Sequence, residues 1–268
     1  MTHLSGKYVL LTGGSRGIGP VIAAGLAQRG AHLALAARSQ AGLDQVARSL
    51  EPYGVRTLTV AVDLAQPAER RRLAAAVLQQ VPTVDLLVNN AGLESEGAYL
   101  DLSWETIEQT LAVNLAAPLE LAGLLLPGML ARRSGHIVNI ASIAGKCGAP
   151  YAALYSATKA GLAEWAQGLR LELAGSGVQV STIFPGYTTG VGMFARFGLA
   201  PPWAVGSCTP AQVADAVVKA IERDAPEAVV NSTPQRLFYA LKALSPALGD
   251  WIMVKSGVVA FQRRKVGL

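Results

Sequence analysis

Seven short apolar runs separated by helical patterns are the feature that most constrains how this chain can fold. The runs are continuously apolar, which is typical of strands in a parallel sheet that is covered on both faces. They occupy residues 7–12, 32–37, 56–62, 84–90, 136–142, 178–185 and 227–231. Helical patterns lie between them at 17–29, 40–50, 67–80, 103–126, 151–174 and 210–223. The alternation predicts an α/β fold with a doubly wound, mostly parallel seven-stranded sheet.

Composition narrows the class of protein further. A chain of 268 residues with 51% hydrophobic and 15% charged residues has enough apolar surface for one domain spanning 1–268. The net charge of +5 is spread along the chain without a basic stripe, which argues against a nucleic-acid partner. Cys147 and Cys208 have no metal-ligand or disulfide spacing, so we expect no metal site and a reduced, cytoplasmic setting. The sequence also predicts no signal peptide and no membrane span.

The stretch TGGSRGIG at residues 12–19 follows the first predicted strand and opens the first predicted helix. Glycine at positions 13, 17 and 19 lets the backbone turn tightly and approach a pyrophosphate, which the free N–H groups of a helix N-terminus attract. A glycine cluster alone is a weak signal, but this one lies in the strand–turn–helix context that a dinucleotide site requires.

The residues after the second strand indicate which dinucleotide would bind. An NAD site usually has an acidic residue there, to bind the ribose 2′-hydroxyl. This chain has Arg38 at that place, no acidic residue before Asp44, and Arg16 inside the glycine loop. Two guanidinium groups suit a 2′-phosphate, so the sequence predicts NADP.

Several motifs together resemble the short-chain dehydrogenase/reductase superfamily. They are TGGSRGIG at 12–19, NNAG at 89–92, Asn114, Ser142 and the pair Tyr155 and Lys159, in the family's order over about residues 5–231. The resemblance implies a Rossmann-like domain and an enzyme that transfers hydride between NADP(H) and a ketone or secondary alcohol. It implies that the cofactor is bound by Gly13, Ser15, Arg16, Gly17, Ile18, Gly19, Arg38, Ser39, Asp63, Leu64, Asn90, Ala91, Gly92, Tyr155, Lys159, Pro185, Gly186 and Thr188.

The resemblance also implies the catalytic roles. Tyr155 would be the acid/base, Ser142 would hydrogen-bond the substrate carbonyl, Lys159 would hold the nicotinamide ribose, and Asn114 would shape a water path to Lys159. Where the family often has a threonine five residues beyond the proline, to bind the carboxamide, this chain has Gly190. Thr188 or Thr189 would take its place.

Tyr155 and Lys159 lie four residues apart, which puts them on one face of a helix. A cation about 4 Å from the phenolate supplies roughly 4 kcal/mol at an effective dielectric constant of about 20. That is about the energy needed to lower a tyrosine pKa from about 10 to near 7. We therefore expect Lys159 to lower the pKa of Tyr155, with a smaller effect if its ammonium is directed at the ribose.

The segment 186–208 is long for a connection and carries Met193, Phe194, Phe197, Leu199 and Trp203. It is either an apolar lid over a hydrophobic substrate or a segment packed onto the domain.

Residues 232–268 form a C-terminal extension in which leucines at 237, 241, 244 and 248 have helical spacing, interrupted by Pro246. Relatives that reduce acyl-carrier thioesters often end soon after the last strand, so the extension favours a lipid-like ketone. It could cap the cleft, pack on another subunit or rest on a membrane surface near Arg263, Arg264 and Lys265.

The sequence leaves three functions open. The leading hypothesis is an NADP-dependent reductase of a hydrophobic, lipid-like ketone, working as a homodimer or homotetramer in the cytoplasm, with possible peripheral membrane contact. The alternatives are a 3-oxoacyl thioester reductase and a non-catalytic NADP-binding regulator, which would have no need of Ser142, Tyr155 and Lys159.

Overall fold

All seven predicted strands form in the computed structural model, which describes residues 3–202 and 205–268. They make one parallel sheet in the order β3-β2-β1-β4-β5-β6-β9. A short parallel pair, β7 with β8, forms inside the segment 186–208, where the sequence predicts only a long connection. The strands are β1 (Tyr8–Thr12), β2 (His32–Ala37), β3 (Thr57–Ala61), β4 (Leu86–Asn89), β5 (Gly135–Ile140), β6 (Val178–Pro185), β7 (Tyr187–Thr188), β8 (Ser207–Cys208) and β9 (Glu227–Val230).

The helices follow the predicted alternation and continue into the C-terminal extension. Three of them lie in the extension, and Pro246 begins the second of these three, as its fixed φ suits a first helical position. The helices are α1 (Gly19–Ala27), α2 (Gln40–Leu50), α3 (Pro67–Gln80), α4 (Trp104–Leu111), α5 (Ala117–Ala131), α6 (Ala153–Glu172), α7 (Pro210–Arg223), α8 (Arg236–Leu244), α9 (Pro246–Lys255) and α10 (Val258–Lys265).

The sheet is covered on both faces, which explains why its strands are continuously apolar. One core joins the sheet to α1, α2 and α7. A second core joins the other face to α3, α5 and α6. Successive residues of one strand alternate between the two cores: Val9 and Leu11 belong to the first and Leu10 to the second. This layering confirms the predicted doubly wound α/β fold.

One helix continues past the residue where the sequence predicts its end. The sequence predicts a helix over 103–126, whereas α4, a π-helical turn at Ala112–Ala116 and α5 run without a break to Ala131. Pro127 lies inside α5 at an exposed position, so the carbonyl that loses its helical partner can bind water. Leu121, Leu125 and Met129 are buried and hold the helix on the core through this point.

That same helix, Trp104–Ala131, is long and apolar enough to cross a membrane by length and composition. Its buried side chains pack on the sheet, so we describe it as a core helix.

Strand order reverses between β1 and β4. From β1 the chain winds outward through β2 and β3, and from β4 it winds the other way through β5 and β6. The loops that follow β1 and β4 therefore separate at the carboxyl edge of the sheet, where ligands bind in open α/β sheets.

Candidate active site

A cavity of about 1130 Å³ lies at this carboxyl edge. Its wall includes all the predicted cofactor residues except Gly19, and the predicted catalytic residues except Asn114. The predicted residues that line it are Gly13, Ser15, Arg16, Gly17, Ile18, Arg38, Ser39, Asp63, Leu64, Asn90, Ala91, Gly92, Ser142, Tyr155, Lys159, Pro185, Gly186 and Thr188. Sequence motifs spread over 176 positions of the chain, from 13 to 188, thus meet in one space.

The glycine loop needs its glycines for steric reasons. Gly13 and Gly17 have φ of +67° and +64°, which other residues rarely adopt. A Cβ on Gly13 would lie 2.9 Å from Ala91 Cα, and one on Gly19 would lie 2.1 Å from the Gly13 carbonyl oxygen. Gly19 therefore lets α1 begin close behind the loop, with its free N–H groups at the cavity.

A threonine that the sequence analysis did not single out holds the glycine loop to the turn after β4. Thr12 Oγ1 accepts hydrogen bonds from the backbone N–H groups of Asn90 (3.0 Å) and Ala91 (3.1 Å). Asn90 Nδ2 in turn donates to the Thr12 and Gly13 carbonyls at 3.0 and 3.1 Å. The NNAG turn, which follows β4, is thus hydrogen-bonded to the glycine loop, which follows β1. Thr12 is the first residue of the TGGSRGIG motif, so its place in that motif could have identified it from the sequence.

The glycine loop and the end of β2 each present one arginine to the cavity. Arg38 and Arg16 are both exposed and both line it. Asp44 lies outside the cavity, where its carboxylate accepts a hydrogen bond from Gln40 at 2.6 Å. Ser39 caps α2 by accepting from Gly42 N at 3.1 Å, which fixes where the chain turns after Arg38. Asp63 lines the wall nearby and accepts from Ala65 N at 3.0 Å.

Ser142, Tyr155 and Lys159 line the same cavity. Ser142 follows β5, and its Oγ accepts a hydrogen bond from Ala144 N at 3.1 Å. Tyr155 lies in the first turn of α6, and Lys159 lies one turn later with its ammonium 5.7 Å from the centre of the tyrosine ring. The Lys159 Nζ donates to the Ile140 carbonyl at 2.8 Å, so the ammonium is directed at the end of β5.

The predicted effect of Lys159 on Tyr155 is wrong for this structure. Burial raises the pKa of Tyr155 well above its ordinary value, and the charge of Glu94 raises it further. A hydrogen bond with Ser142 acts in the opposite direction, and Glu96 adds a smaller increase. Burial also lowers the pKa of Lys159 to about 8. The phenol is therefore held in its protonated form, because desolvation and nearby carboxylates both disfavour the phenolate.

Asn114 lies behind the cavity, in the π-helical turn between α4 and α5. Its Oδ1 accepts from Leu93 N at 2.7 Å, and its Nδ2 donates to Leu93 O at 2.8 Å and Thr158 Oγ1 at 3.1 Å. A Cβ on Gly92 would lie 3.5 Å from both Asn114 Oδ1 and Lys159 Nζ. The π turn thus brings the amide to the segment next to Lys159, and π turns are frequent at functional sites.

The segment 186–208 is partly packed onto the domain. Phe194 is 6% exposed, with its ring centre 4.6 Å from that of Tyr187 and 6.3 Å from that of Phe261 in α10. Met193 and Phe194 line the cavity, as does Thr188, whereas Thr189 does not. Thr188 is therefore the better placed of the two threonines considered as substitutes at Gly190. Trp203 lies outside the described residues.

Sequence reasoning missed a buried ion cluster between α10 and the segment after the NNAG turn. Lys265 Nζ lies 3.1 Å from Glu94 Oε1 and 2.5 Å from Glu96 Oε1, and its side chain is 1% exposed. Its ammonium also lies 4.5 Å from the centre of the Phe197 ring. Burial raises the pKa of Glu96 to about 7, helped by the neighbouring Glu94 and opposed by Lys265. All three charged residues line the cavity, so α10 closes one side of it.

The rest of that side is apolar and comes from the extension. Phe238 and Tyr239 of α8 and Ile252 and Met253 of α9 also line the cavity. Capping of the cleft, one of the arrangements expected for the extension, is therefore what this chain does. Among residues 3–202 and 205–268, no group of His, Cys, Asp and Glu side chains is placed to hold a metal ion.

Comparison with known proteins places this geometry in a family. The model of the short chain dehydrogenase family matches residues 7–199. Ketoacyl reductase HetN of Nostoc sp. (strain PCC 7120) is 40% identical over 270 residues, covering 99% of this chain and 94% of that protein.

Solved structures of short-chain dehydrogenases are also similar to this chain. A short-chain dehydrogenase from Sphingobium yanoikuyae in complex with NADPH is similar with a TM-score of 0.79 and 30% identity, over 91% of this chain and 95% of that one. A metagenomic short-chain oxidoreductase in complex with NADP has a TM-score of 0.75 and 32% identity, over 87% of this chain and 100% of that one.

Proposed function

This chain belongs to the short-chain dehydrogenase family, and on that premise we propose that it is an NADP(H)-dependent oxidoreductase acting on a hydrophobic ketone or secondary alcohol. The observation that carries the proposal is the meeting of Ser142, Tyr155 and Lys159 with the glycine loop in one cavity.

The residues present fit an NADP cofactor. Gly13 and Gly17 have positive φ, so side chains there would strain the glycine loop, and the N-terminus of α1 would attract the pyrophosphate. Arg16 and Arg38 are exposed at the cavity and suit a 2′-phosphate. Asp63 and Leu64 would hold the adenine, while Asn90, Ala91 and Gly92 would line the cleft between them and the nicotinamide end.

At the nicotinamide end, Lys159 would hold the ribose and Pro185, Gly186 and Thr188 would hold the carboxamide. When bound, the cofactor supplies or accepts the hydride.

In the reduction direction, Tyr155 donates its proton to the carbonyl oxygen and Ser142 hydrogen-bonds the same oxygen. A phenol whose pKa is raised by burial is fully protonated at neutral pH, which is the state that a proton donor needs. Lys159, with a pKa of about 8, carries a positive charge at neutral pH and would donate hydrogen bonds to the hydroxyl groups of the nicotinamide ribose. Asn114 fixes the Leu93 backbone beside Lys159 and shapes the path along which water reaches it.

The apolar part of the wall indicates a substrate with a hydrophobic body. Phe238, Ile252 and Met253 from the extension and Leu93 and Phe194 from the domain all line the cavity. Such walls bind apolar groups and leave orientation to a few polar contacts.

A 3-oxoacyl thioester is the second candidate substrate. The Nostoc relative named as a ketoacyl reductase matches 99% of this chain, a span that includes the C-terminal extension. The presence of the extension therefore does not argue against a thioester, contrary to the expectation from the sequence. The reacting group is a ketone in both cases, so the roles of Ser142 and Tyr155 are the same.

Activity of the purified chain tests the function. NADPH oxidation should be seen with at least one member of a panel of long-chain ketones and 3-oxoacyl thioesters. Tyr155→Phe is expected to lower kcat/KM about 10²- to 10⁴-fold, the usual contribution of a positioned acid, with NADPH affinity within a few-fold of wild type. Full activity of Tyr155→Phe would disprove the mechanism. NADPH binding without turnover of any carbonyl would favour the regulator.

We further propose that the chain is a cytoplasmic homodimer or homotetramer assembled through α4, α5 and α6. Trp104 and Leu171 on these helices are 69% and 70% exposed, which leaves apolar surface for a partner copy. Light scattering of the purified protein gives its mass directly, and a monomer at micromolar concentration would contradict the proposal.

A further inference from the structure

The outer face of the hairpin formed by α8 and α9 presents large apolar side chains to solvent. Leu237 and Leu244 of α8 are 82% and 87% exposed, and Trp251 and Val254 of α9 are 58% and 62% exposed. Their spacings of seven and three residues put each pair on one side of its helix. Exposed apolar side chains grouped in this way mark a surface that docks on an apolar partner.

The opposite face of the same hairpin belongs to the cavity. Phe238 and Tyr239 immediately follow Leu237, and Ile252 and Met253 lie between Trp251 and Val254, yet these four residues line the cavity wall. The same two helices therefore separate the substrate space from the outer apolar face.

Contacts between α8 and α9, and contacts of the flanking segments with the rest of the chain, hold this hairpin in place. Gly249 lets α9 approach α8 so closely that a Cβ there would lie 2.6 Å from Lys242 Cγ. Gln235 Nε2, next to the start of α8, donates to the Val205 carbonyl at 2.6 Å. After α9, Lys265 fixes α10 through its ion pairs with Glu94 and Glu96. The apolar face is thus presented on an anchored support.

The charges of the extension decide what covers that face. Residues 232–268 contain six Lys and Arg but a single acidic residue, Asp250. Arg236, Lys255, Arg263 and Arg264 are exposed. A symmetric contact with a second copy would bring two such basic segments together, and their charges would repel each other. An anionic lipid surface instead attracts the cations and accepts the apolar side chains, with tryptophan at the headgroup level.

We propose that the outer face of α8 and α9, together with the exposed cations of the extension, docks on an anionic phospholipid membrane. The cavity then lies one helix layer from the lipid, and a ketone dissolved in the bilayer reaches Tyr155 by passing the edge of the hairpin. This route for the substrate rests on the proposed function, whereas docking itself does not.

Co-sedimentation with vesicles tests the docking without any turnover. The full-length protein is expected to bind vesicles of phosphatidylcholine and phosphatidylglycerol, and to bind phosphatidylcholine vesicles weakly. The double variant Leu244→Ser/Trp251→Ser should lower the partition coefficient at least about tenfold. Arg263→Gln/Arg264→Gln should lower it about twenty-five-fold on anionic vesicles alone, at about fivefold per cation.

A matched control is Tyr53→Ser/Leu78→Ser. These side chains are 39% and 48% exposed and lie just after the end of α2 and near the end of α3, at the opposite edge of the sheet from the cavity. This control should bind vesicles like wild type. All four changed apolar positions are exposed, so the variants should keep the fold and the melting temperature of wild type.

The absence of vesicle binding, or binding that Leu244→Ser/Trp251→Ser leaves unchanged, would overturn the proposal. A wild-type oligomer that this variant converts to monomers would assign the face to a second copy instead. Vesicle binding by a protein that reduces no ketone would contradict the proposed function and leave the docking surface standing.

Discussion

Tyr155 is held as an acid by its surroundings and is not converted into a base by Lys159. Burial and the charge of Glu94 raise its pKa, and a hydrogen bond with Ser142 acts against them. Lys159 is directed at the Ile140 carbonyl, and its own pKa falls to about 8. Spacing along a helix places two side chains on one face, but it does not fix where a flexible lysine points or how dry the site is.

Arg38 is the residue on which cofactor choice is expected to depend. Arg38→Asp should weaken NADPH binding about tenfold or more, because it removes a charge-assisted contact and adds repulsion with the 2′-phosphate. NADH has no 2′-phosphate, so its affinity should change by a few-fold at most. Fluorescence titration with each cofactor measures both values. Equal losses for NADPH and NADH would remove Arg38 from this role.

The C-terminal helix α10 acts at the scale of an element. It brings Lys265 back to Glu94 and Glu96 across 171 and 169 positions of the chain. The contact closes the cavity and places the carboxylates that raise the pKa of Tyr155. One helix of eight residues thus connects the end of the chain to the acid–base chemistry of the site.

Loss of the Lys265 ammonium should destabilise the packing of α10 against the cavity. Lys265→Met removes the ammonium from the buried ion cluster with Glu94 and Glu96, and removing one partner of a buried ion pair typically costs about 3–5 kcal/mol. Because Glu96 has a pKa of about 7, it takes up a proton more readily at pH 5.5 than at pH 8, so the loss should be smaller at the lower pH.

Urea unfolding, with hydrogen exchange of residues 258–265, measures the effect of Lys265→Met. Arg264→Met is the control, since Arg264 is the exposed neighbour on the same helix. Unchanged exchange and unchanged unfolding in Lys265→Met would show that the ion pairs do not hold α10.

At the scale of the whole molecule, the doubly wound sheet carries a buried histidine that makes stability depend on pH. His136 in β5 is 0% exposed, and its Nε2 lies 2.8 Å from Ser181 Oγ. Ser181 donates its own proton to the Ala225 carbonyl, so His136 Nε2 carries the hydrogen, and Nδ1 is a buried acceptor with no hydrogen-bond partner among the residues that the structure describes. Burial lowers the pKa of His136 to about 4, with Asp224 raising it and Arg170 lowering it further.

The sign of the resulting pH dependence follows from this lowered pKa. Below about pH 6.5 the unfolded chain binds a proton at His136 that the folded chain binds only below about pH 4. The contribution of His136 to folding stability is therefore lost as the pH falls from 6.5 to 4, by about 3 kcal/mol.

His136→Gln should lose less stability than wild type over that range, because it cannot bind the proton. Urea unfolding at pH 7, 5.5 and 4 measures the difference in unfolding free energy between the two proteins. Because Glu96 and the other titrating groups are common to both proteins, their effects cancel in this difference. Parallel curves for the two proteins would contradict the buried neutral histidine.

Local patterns in the sequence determined much of this protein. The strand and helix order follows from hydrophobic runs, the glycine loop from its position between β1 and α1, and the family from the spacing of NNAG, Ser142, Tyr155 and Lys159. These signals depend on neighbouring residues, so they can be read without knowing the path of the chain.

Only the tertiary structure decided which distant groups meet. It placed Thr12 against Asn90, Lys265 between Glu94 and Glu96, and the inner face of α8 and α9 against the cavity. It also reversed the expected shift of the Tyr155 pKa, because desolvation and through-space charges outweigh a lysine that points elsewhere. Burial and electrostatics depend on how the whole chain packs, and sequence spacing carries no record of those distances.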